Sequence, residues 1–233
     1  MPIPPVVATA INQFFTTLAP VTLGRVISGD GNKYELYVYS VVYKALKRRF
    51  PAITVQGLDA GGRFIFRCSP GIIRAGYSYF TFSNKKGQVF ELRNGIEIHG
   101  HVMEHEMDVL VVEKNIPGYG PNPTTCHALR LALECKFYAD NSSLKGEVRK
   151  FLGAMTDLSQ TAQVIMESFP AAGEIHSGQA FFKSFITNKS AELNTRLERF
   201  VYAHGLWPLF DMLPTGVEDT LYDRVYRYSK LWI

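Results

Sequence analysis

The chain has 233 residues, of which 46% are hydrophobic and 20% charged, a balance typical of an ordinary globular protein. Its net charge of +4 and pI near 8.9 suit a polyanionic partner without requiring one. The three cysteines lack CxxC spacing, the N-terminus lacks a signal-peptide pattern, and no apolar run approaches the ~18 residues of a membrane span, so we expect a soluble, cytoplasmic protein with reduced thiols and no membrane contact.

Helical periodicity dominates the first 50 residues. Residues 6–18 predict a short helix that ends before Pro20. The segment from Asn32 to Phe50 predicts a longer helix, which Asn32 can cap and in which cations at 47–49 complement the helix dipole. Its apolar residues recur at helical spacing, at Leu36, Tyr39, Tyr43 and Leu46.

The middle of the chain changes to strand patterns. Short runs rich in β-branched and aromatic residues are separated by glycine or polar turns, and they cover residues 53–59, 63–69, 77–83, 88–100, 106–113 and 128–139. Asn84 to Gly87 predicts a hairpin turn, and Asn94-Gly95 a second turn or a bulge. The proline- and glycine-rich segment 117–123 predicts a loop.

The helical period then returns. Residues 142–158 predict a helix, residues 162–170 a strand, and the chain from Ser177 onward a mostly helical segment. The sequence therefore predicts an α/β fold with a central mixed sheet flanked by helices. Residues 1–174 are expected to form the core, with the motif region at 31–170, and residues 175–233 a helical C-terminal extension packed on it.

Charged residues interrupt two of the predicted apolar strands. Glu134 and Lys136 are two residues apart and share one face of their strand, while Cys135 points to the other face. Asp108 opens the apolar run of the preceding strand. Burying such charges is costly unless they pair or meet a ligand. These three residues are therefore candidates for a functional site.

Carboxylates on neighbouring strands can converge on one hard cation. Mg²⁺ suits Asp108 and Glu134, because it needs only one or two protein carboxylates besides water and phosphate oxygens, and Mn²⁺ is expected to substitute for it. Lys136 can orient an attacking water or neutralise charge that develops on a scissile phosphate. The chemistry that fits is metal-assisted phosphodiester hydrolysis.

At these residues the chain resembles the PD-(D/E)xK nuclease superfamily, which has the restriction-endonuclease-like fold. That family places an acidic residue at the start of one strand and [D/E]-x-K on the next, matched here by Asp108 in 107–111 and by Glu134 and Lys136 in 133–137. The following helix resembles that of Mrr-like restriction enzymes. Many members add a glutamate on the first core helix, where Glu35 stands. No proline precedes Asp108, which departs from the family pattern.

The resemblance implies a magnesium-dependent endonuclease that acts on DNA, with RNA not excluded, in restriction, phage defence or mobile-element biology. Asp108, Glu134 and Glu35 are the implied metal ligands, and Lys136 is the implied catalytic partner. Cutting a duplex usually needs two such sites, so we expect a homodimer or higher oligomer. The sequence contains no recognisable DNA-reading module, so we expect the protein either to act non-specifically or to be the effector of a sensor or recognition partner.

Two basic segments are candidate nucleic-acid contacts. Lys145, Arg149 and Lys150 follow on the helix after the motif, and Lys145 and Arg149 share a face that could grip a DNA backbone. A solvated helix face is the alternative. Residues 222–232 mix bases with aromatics, which is compatible with base stacking. A core contact of the last helix, or a dimer seam, is the favoured interpretation there.

Each candidate catalytic residue has a structural alternative. Glu35 lies three residues after Asn32 and could complete a capping box at the helix start. Glu134 and Lys136 could form a structural ion pair. The corresponding alternative for the whole protein is a non-catalytic nucleic-acid-binding or scaffold module of the same fold within a larger defence complex.

The predicted hairpin around residue 100 contains further ionisable residues. Glu104 and Glu106 share the strand parity of the aspartate, and Glu106 is the better candidate to reach a cation. His99, His101 and His105 suggest a zinc site, although no nearby cysteine completes a tetrahedral set. Contact with substrate phosphates, or surface exposure, is the favoured interpretation of these histidines.

Overall fold

The computed structural model of the protein describes residues 2–100, 102–115, 126–138, 144–159, 182–190, 195–214 and 216–232. Within these ranges the chain forms five α-helices and seven β-strands. In chain order they are helices α1 (Pro5–Thr17) and α2 (Asp30–Arg49), strands β1 (Thr54–Gln56), β2 (Tyr79–Ser83), β3 (Val89–His99), β4 (Glu104–Glu113) and β5 (Leu129–Lys136), helix α3 (Leu144–Ser159), strand β6 (Phe182–Thr187), helix α4 (Thr195–Ala203), strand β7 (Trp207–Leu209) and helix α5 (Glu218–Tyr228).

The strands form one mixed sheet in the order β1 to β7. Strands β1 to β5 pair antiparallel, whereas β5 pairs parallel with β6 and β6 with β7. Parallel neighbours need crossover connections, and α3 and α4 lie in those connections. The predicted α/β fold, with a central mixed sheet flanked by helices, is confirmed at this level.

Alternate residues along the central strands face two helical layers. On β4, Val109 and Val111 pack with α1, α2 and α5, whereas Leu110 and Val112 pack with α3 and α4. This period of two is what the strand geometry requires when a sheet is covered on both faces. Across the described ranges, no helix combines the length and apolarity needed to cross a membrane.

Helix α2 confirms the predicted helix but not its predicted cap. It begins at Asp30, whose charge suits the helix dipole, and three cations occupy its last turn. Gly29 precedes the helix, and no side chain caps it. Asn32 instead lies inside the first turn, where its Nδ2 donates to the Ser28 carbonyl at 2.9 Å. The capping-box interpretation of Asn32 and Glu35 is therefore wrong.

The predicted strands differ in how well they match the structure. Strands β2 to β5 confirm four of them, and the Asn84–Gly87 turn joins β2 to β3 as predicted. The segment at 53–59 forms only the three-residue β1. The segment at 63–69 joins no ladder, and Phe64 forms only an isolated bridge with Leu23. A buried side chain holds this segment instead, since Arg67 donates to the carbonyls of Gly71 and Gly95.

The C-terminal part of the chain, for which the sequence predicts a mostly helical segment, also contributes strands to the sheet. It supplies β6 and β7, and β6 pairs directly with the motif strand β5 from Leu131↔Phe182 to Lys136↔Thr187. Both strands are short and show no clear alternation, so helical periodicity nearby dominates the prediction. The predicted loop at 117–123 and the predicted strand at 162–170 lie outside the described residues.

Candidate active site

The candidate site lies where strands β4 and β5 stop pairing. Their register runs from Val112↔Leu129 to Val109↔Leu133, so Asp108 and Glu134 are the next residues beyond the last pair. Asp108 Oδ2 accepts a hydrogen bond from the Cys135 main-chain N–H at 2.7 Å. A carboxylate thus takes the place of a backbone carbonyl and holds the two strands at the opening.

Lys136 joins the two carboxylates. Its Nζ lies 3.2 Å from Asp108 Oδ2 and 2.6 Å from Glu134 Oε1. The side chains are 6% (Asp108), 16% (Glu134) and 26% (Lys136) exposed, so the aspartate is buried and the lysine reaches solvent. The structure therefore brings the three predicted residues together in one hydrogen-bonded group.

Glu35, on helix α2, adds a fourth ionisable group to the site. Burial, followed by the negative charge of Asp108, raises the pKa of the Glu35 carboxyl to about 9, and Lys136 opposes the rise. An electrostatic effect of this kind requires the carboxyl to lie close to the trio. Glu35 lies near the start of α2, and the effect of Asp108 and Lys136 on its pKa relates it to the trio.

The site holds more carboxyl groups than ammonium groups, and burial disfavours the ionised form of these carboxyls. Burial and the charge of Asp108 raise the pKa of the Glu134 carboxyl to about 8. Burial also raises the pKa of Asp108, although Lys136 and the Cys135 N–H oppose it. Burial tends to lower the pKa of Lys136, but the two carboxylates outweigh it and raise the value. One ammonium therefore does not balance the surrounding carboxyls.

Two further carboxyls contribute to this excess. Glu106 has an exposed residue surface, yet partial burial of its carboxyl and then the charge of Asp108 raise its pKa. The Glu147 carboxyl, in the first turn of α3, adds to the rise in the pKa of Asp108. Sequence reasoning named Glu106 but did not identify Glu147 as a site residue. The signal was its position in the helix that follows the motif strand.

The donor chemistry fits a hard divalent cation. Asp108, Glu134 and Glu35 offer carboxylate oxygens, which Mg²⁺ and Mn²⁺ accept. Their pKa values are raised first by burial, and a bound cation would favour the ionised carboxylates over the protonated ones. In the described ranges, no three His, Cys, Asp or Glu side chains already stand in a metal-holding arrangement. Lys136 lies between the two strand carboxylates and supplies the compensating charge there.

Two histidines of the β3–β4 hairpin pair with carboxylates. His99 Nδ1 lies 3.1 Å from Glu104 Oε1 across the β3–β4 hairpin, and His105 Nε2 lies 2.8 Å from Asp157 Oδ2 of α3. Asp157 also accepts the N–H groups of the hairpin turn, so this pair attaches α3 to the hairpin. His101 lies outside the described residues. For the other two histidines, the zinc interpretation finds no geometric support.

The predicted nucleic-acid contacts lie on the surface of α3. Lys145, Arg149 and Lys150 are all exposed, and Lys150 Nζ lies 2.8 Å from Glu147 Oε1. Since Glu147 influences Asp108, the first turn of α3 borders the site, and the three cations extend from it toward solvent. A solvated face and a phosphate-binding face are both compatible with this placement.

Two other residue sets play structural roles. Cys135 is 3% exposed and packs in the core beneath α2, on the side away from the charged pair, as strand parity predicts. In the C-terminal aromatic segment, Leu221, Val225 and Trp232 are buried in the same core. The favoured interpretation of residues 222–232 as a core contact is therefore confirmed for α5.

Comparison of the chain with protein-family models, with curated proteins and with solved structures finds no match. The likeness to PD-(D/E)xK nucleases therefore depends on the motif residues and on the geometry around them.

Proposed function

We propose that the protein is a magnesium-dependent endonuclease that hydrolyses phosphodiester bonds in DNA, with the restriction-endonuclease-like form of the mixed sheet. The observation that carries the proposal is the convergence of Asp108, Glu134 and Lys136 at the opening between β4 and β5, with the Glu35 carboxyl close by. A buried, electrostatically unbalanced group of this kind destabilises a protein, which favours a functional role.

The proposed roles follow from the donor types. Asp108 and Glu134 would hold Mg²⁺, with Glu35 as a further ligand. The bound cation would supply Lewis-acid stabilisation of the phosphoryl oxygens. Lys136 keeps its proton near neutral pH, because the carboxylates raise its pKa, and so it can donate a hydrogen bond to the attacking water or to the phosphate. Its partly exposed ammonium is placed to do so.

Plasmid cleavage in Mg²⁺ or Mn²⁺ tests this function. Glu134→Gln and Lys136→Ala are expected to lower the cleavage rate at least ~100-fold, because each removes a group that contacts the cation or the reacting atoms. Glu104→Gln is the matched control, since Glu104 is a half-exposed carboxylate on the same strand as Asp108. The proposal fails if wild-type protein cuts neither DNA nor RNA with either metal.

The alternative of a non-catalytic binding or scaffold module has one observation in its favour. Lys136 already forms ion pairs with both strand carboxylates, as a purely structural network would. That alternative predicts nucleic-acid binding without cleavage, and no loss of function in Lys136→Ala beyond its effect on stability.

An RNA substrate in the same assay distinguishes a ribonuclease from a deoxyribonuclease. Roles in restriction, phage defence or mobile-element biology, with a sensor partner, remain part of the proposal.

A further inference from the structure

A cluster of arginines surrounds one tyrosine in the segment before β2. The guanidinium carbons of Arg67, Arg74 and Arg25 lie 4.5, 5.7 and 5.9 Å from the centre of the Tyr77 ring. A hydrogen bond from Arg74, together with the charges of Arg74 and Arg67, lowers the pKa of the Tyr77 hydroxyl despite its partial burial. The arginine salt bridges found in the described ranges involve other residues. The cluster therefore brings three guanidinium groups together, with the Glu97 and Glu106 carboxyls as the acidic groups that interact with Arg67.

Arg67 is the buried member of this arginine–tyrosine cluster. It is 2% exposed, and its Nη1 donates to the carbonyls of Gly71, Ile72 and Gly95 at 2.9, 3.0 and 3.3 Å. Its Nε and Nη2 have no acceptor at good hydrogen-bond geometry among the described atoms, although the Tyr77 hydroxyl interacts with the guanidinium. A buried guanidinium is costly to keep charged, and an anion held by the exposed arginines beside it would offset part of that cost.

The cluster lies one strand away from the carboxylates. The pairs Asn94↔Val109 and Ile96↔Met107 place Gly95 of β3 opposite Asp108 of β4. A Cβ at Gly95 would lie 3.1 Å from Arg67 Cδ, so the arginine packs directly on this glycine, whose φ of +60° also favours glycine. Neighbouring strands are about 4.8 Å apart, so Arg67 packs on the cross-strand neighbour of Asp108, and the charges of both residues act on the Glu106 carboxyl.

We propose that Arg25, Arg67, Arg74 and Tyr77 bind a phosphate group of the substrate strand, next to the phosphate that is cleaved. The choice of ligand rests on the proposed function. Guanidinium forks match phosphate oxygens in geometry and charge, and a tyrosine hydroxyl can donate a further hydrogen bond. Arg25 and Arg74 are exposed and form the side of the cluster that a ligand can reach, whereas Arg67 is buried beneath them.

Fluorescence anisotropy with labelled oligonucleotides, in EDTA so that no cleavage occurs, tests the subsite. Arg74→Gln is expected to weaken binding about tenfold and to lower the slope of log affinity against log salt by about 1. Tyr77→Phe should weaken it severalfold. Lys85→Gln is the matched control, because it removes one exposed positive charge from the hairpin turn at the opposite end of β3.

Two probes identify the source of the phosphate. Equal affinity of 5′-phosphorylated and 5′-hydroxyl strands indicates an internal phosphodiester, whereas a preference for the former indicates a terminal phosphate. In addition, inorganic phosphate should raise the melting temperature of the wild type more than that of Arg74→Gln.

The proposed subsite is contradicted if Arg74→Gln and Tyr77→Phe lose no more nucleic-acid affinity, relative to the wild type, than the control Lys85→Gln does. That result would leave the nuclease proposal standing if Glu134→Gln still abolished cleavage. Conversely, if the protein shows no metal-dependent cleavage but Arg74→Gln binds nucleic acid weakly, the proposed nuclease activity is contradicted and the proposed phosphate subsite is supported. The two failures are thus distinguishable.

Discussion

At the scale of single residues, the carboxyls of the candidate site hold their protons more tightly than exposed carboxyls do. Burial and then the charge of Asp108 raise the pKa of Glu35 to about 9 and that of Glu134 to about 8, from an ordinary value of 4.5. Lys136 weakens these shifts without cancelling them. In the absence of a cation, this arrangement favours the protonated carboxyls of the folded protein.

This preference predicts how stability depends on pH. Between about pH 5 and pH 9 the folded protein binds more protons at Glu35 and Glu134 than the unfolded chain does, so its free energy of unfolding should fall as the pH rises. The raised pKa of Lys136 adds no slope in this window, since that group is protonated in both states. Thermal melts in EDTA from pH 5.5 to pH 9.5 measure the effect.

The matched variant for this measurement is Glu134→Gln, which mimics the protonated carboxyl and should show a shallower decline. Mg²⁺ competes with protons for the carboxylates, so it should raise the melting temperature of the wild type more at pH 9 than at pH 6. A free energy of unfolding that stays level or increases over this range, with the same slope in the variant, would contradict the electrostatic picture.

The sequence identifies the trio because each member breaks a simple pattern. Asp108, Glu134 and Lys136 are charges inside apolar strands, and strand parity alone separates Cys135 from them. Arg67 and Glu147 have no comparable signal. Arg67 lies in a segment that alternates like a strand but folds as a loop around its side chain. Glu147 acts on Asp108 only because α3 returns beside β5, a tertiary relation that periodicity does not encode.

At the scale of elements, the chain just after β5 is held in place by the side chain of Asn188, which directly follows the neighbouring strand β6. Just after the last pair, Lys136↔Thr187, Asn188 Oδ1 accepts the Tyr138 N–H at 2.9 Å and Asn188 Nδ2 donates to the Tyr138 carbonyl at 3.1 Å. The asparagine thereby extends the β5–β6 ladder beyond the strand. It fixes the direction in which the chain leaves the lysine.

Asn188→Ala should therefore lower the cleavage rate by about tenfold while leaving nucleic-acid affinity nearly unchanged. The two lost hydrogen bonds should also lower the free energy of unfolding by roughly 1–2 kcal/mol. Single-turnover cleavage, anisotropy binding and urea unfolding separate these effects. Asn12→Ala, at an exposed position on α1, is the control and should change none of them. An unaltered cleavage rate in Asn188→Ala would show that the two Asn188–Tyr138 hydrogen bonds do not position Lys136.

The elements that sequence reasoning missed share a physical cause. Strand β6 is six residues long and mostly buried on both faces, and strand β7 has only three residues, so neither shows the alternation that reveals half-exposed strands. Their pairing depends on partners far away in the sequence, since β6 meets β5 only across the connection that contains α3. By contrast, β2 to β4 are joined by short turns and are predictable locally.

At the scale of the whole molecule, the described residues contain one carboxylate–lysine group, whereas the duplex DNA of the proposed function has two strands. The described residues contain a single β4–β5 opening, and Asp108, Glu134 and Lys136 all belong to it. One such site cuts one strand at a time. Simultaneous cutting of both strands requires a second copy of the chain, related by the approximate twofold symmetry of the DNA backbone.

The expected homodimer can be tested by mixing subunits. Supercoiled plasmid treated with wild-type protein should give linear product with little nicked intermediate, because two sites act within one complex. Adding an excess of Glu134→Gln should form mixed dimers that cut one strand, so nicked circles should accumulate. Light scattering on the DNA-bound protein gives the subunit number. If the mixture still yields linear DNA in proportion to the wild-type subunits alone, each chain cuts independently and the dimer expectation is wrong.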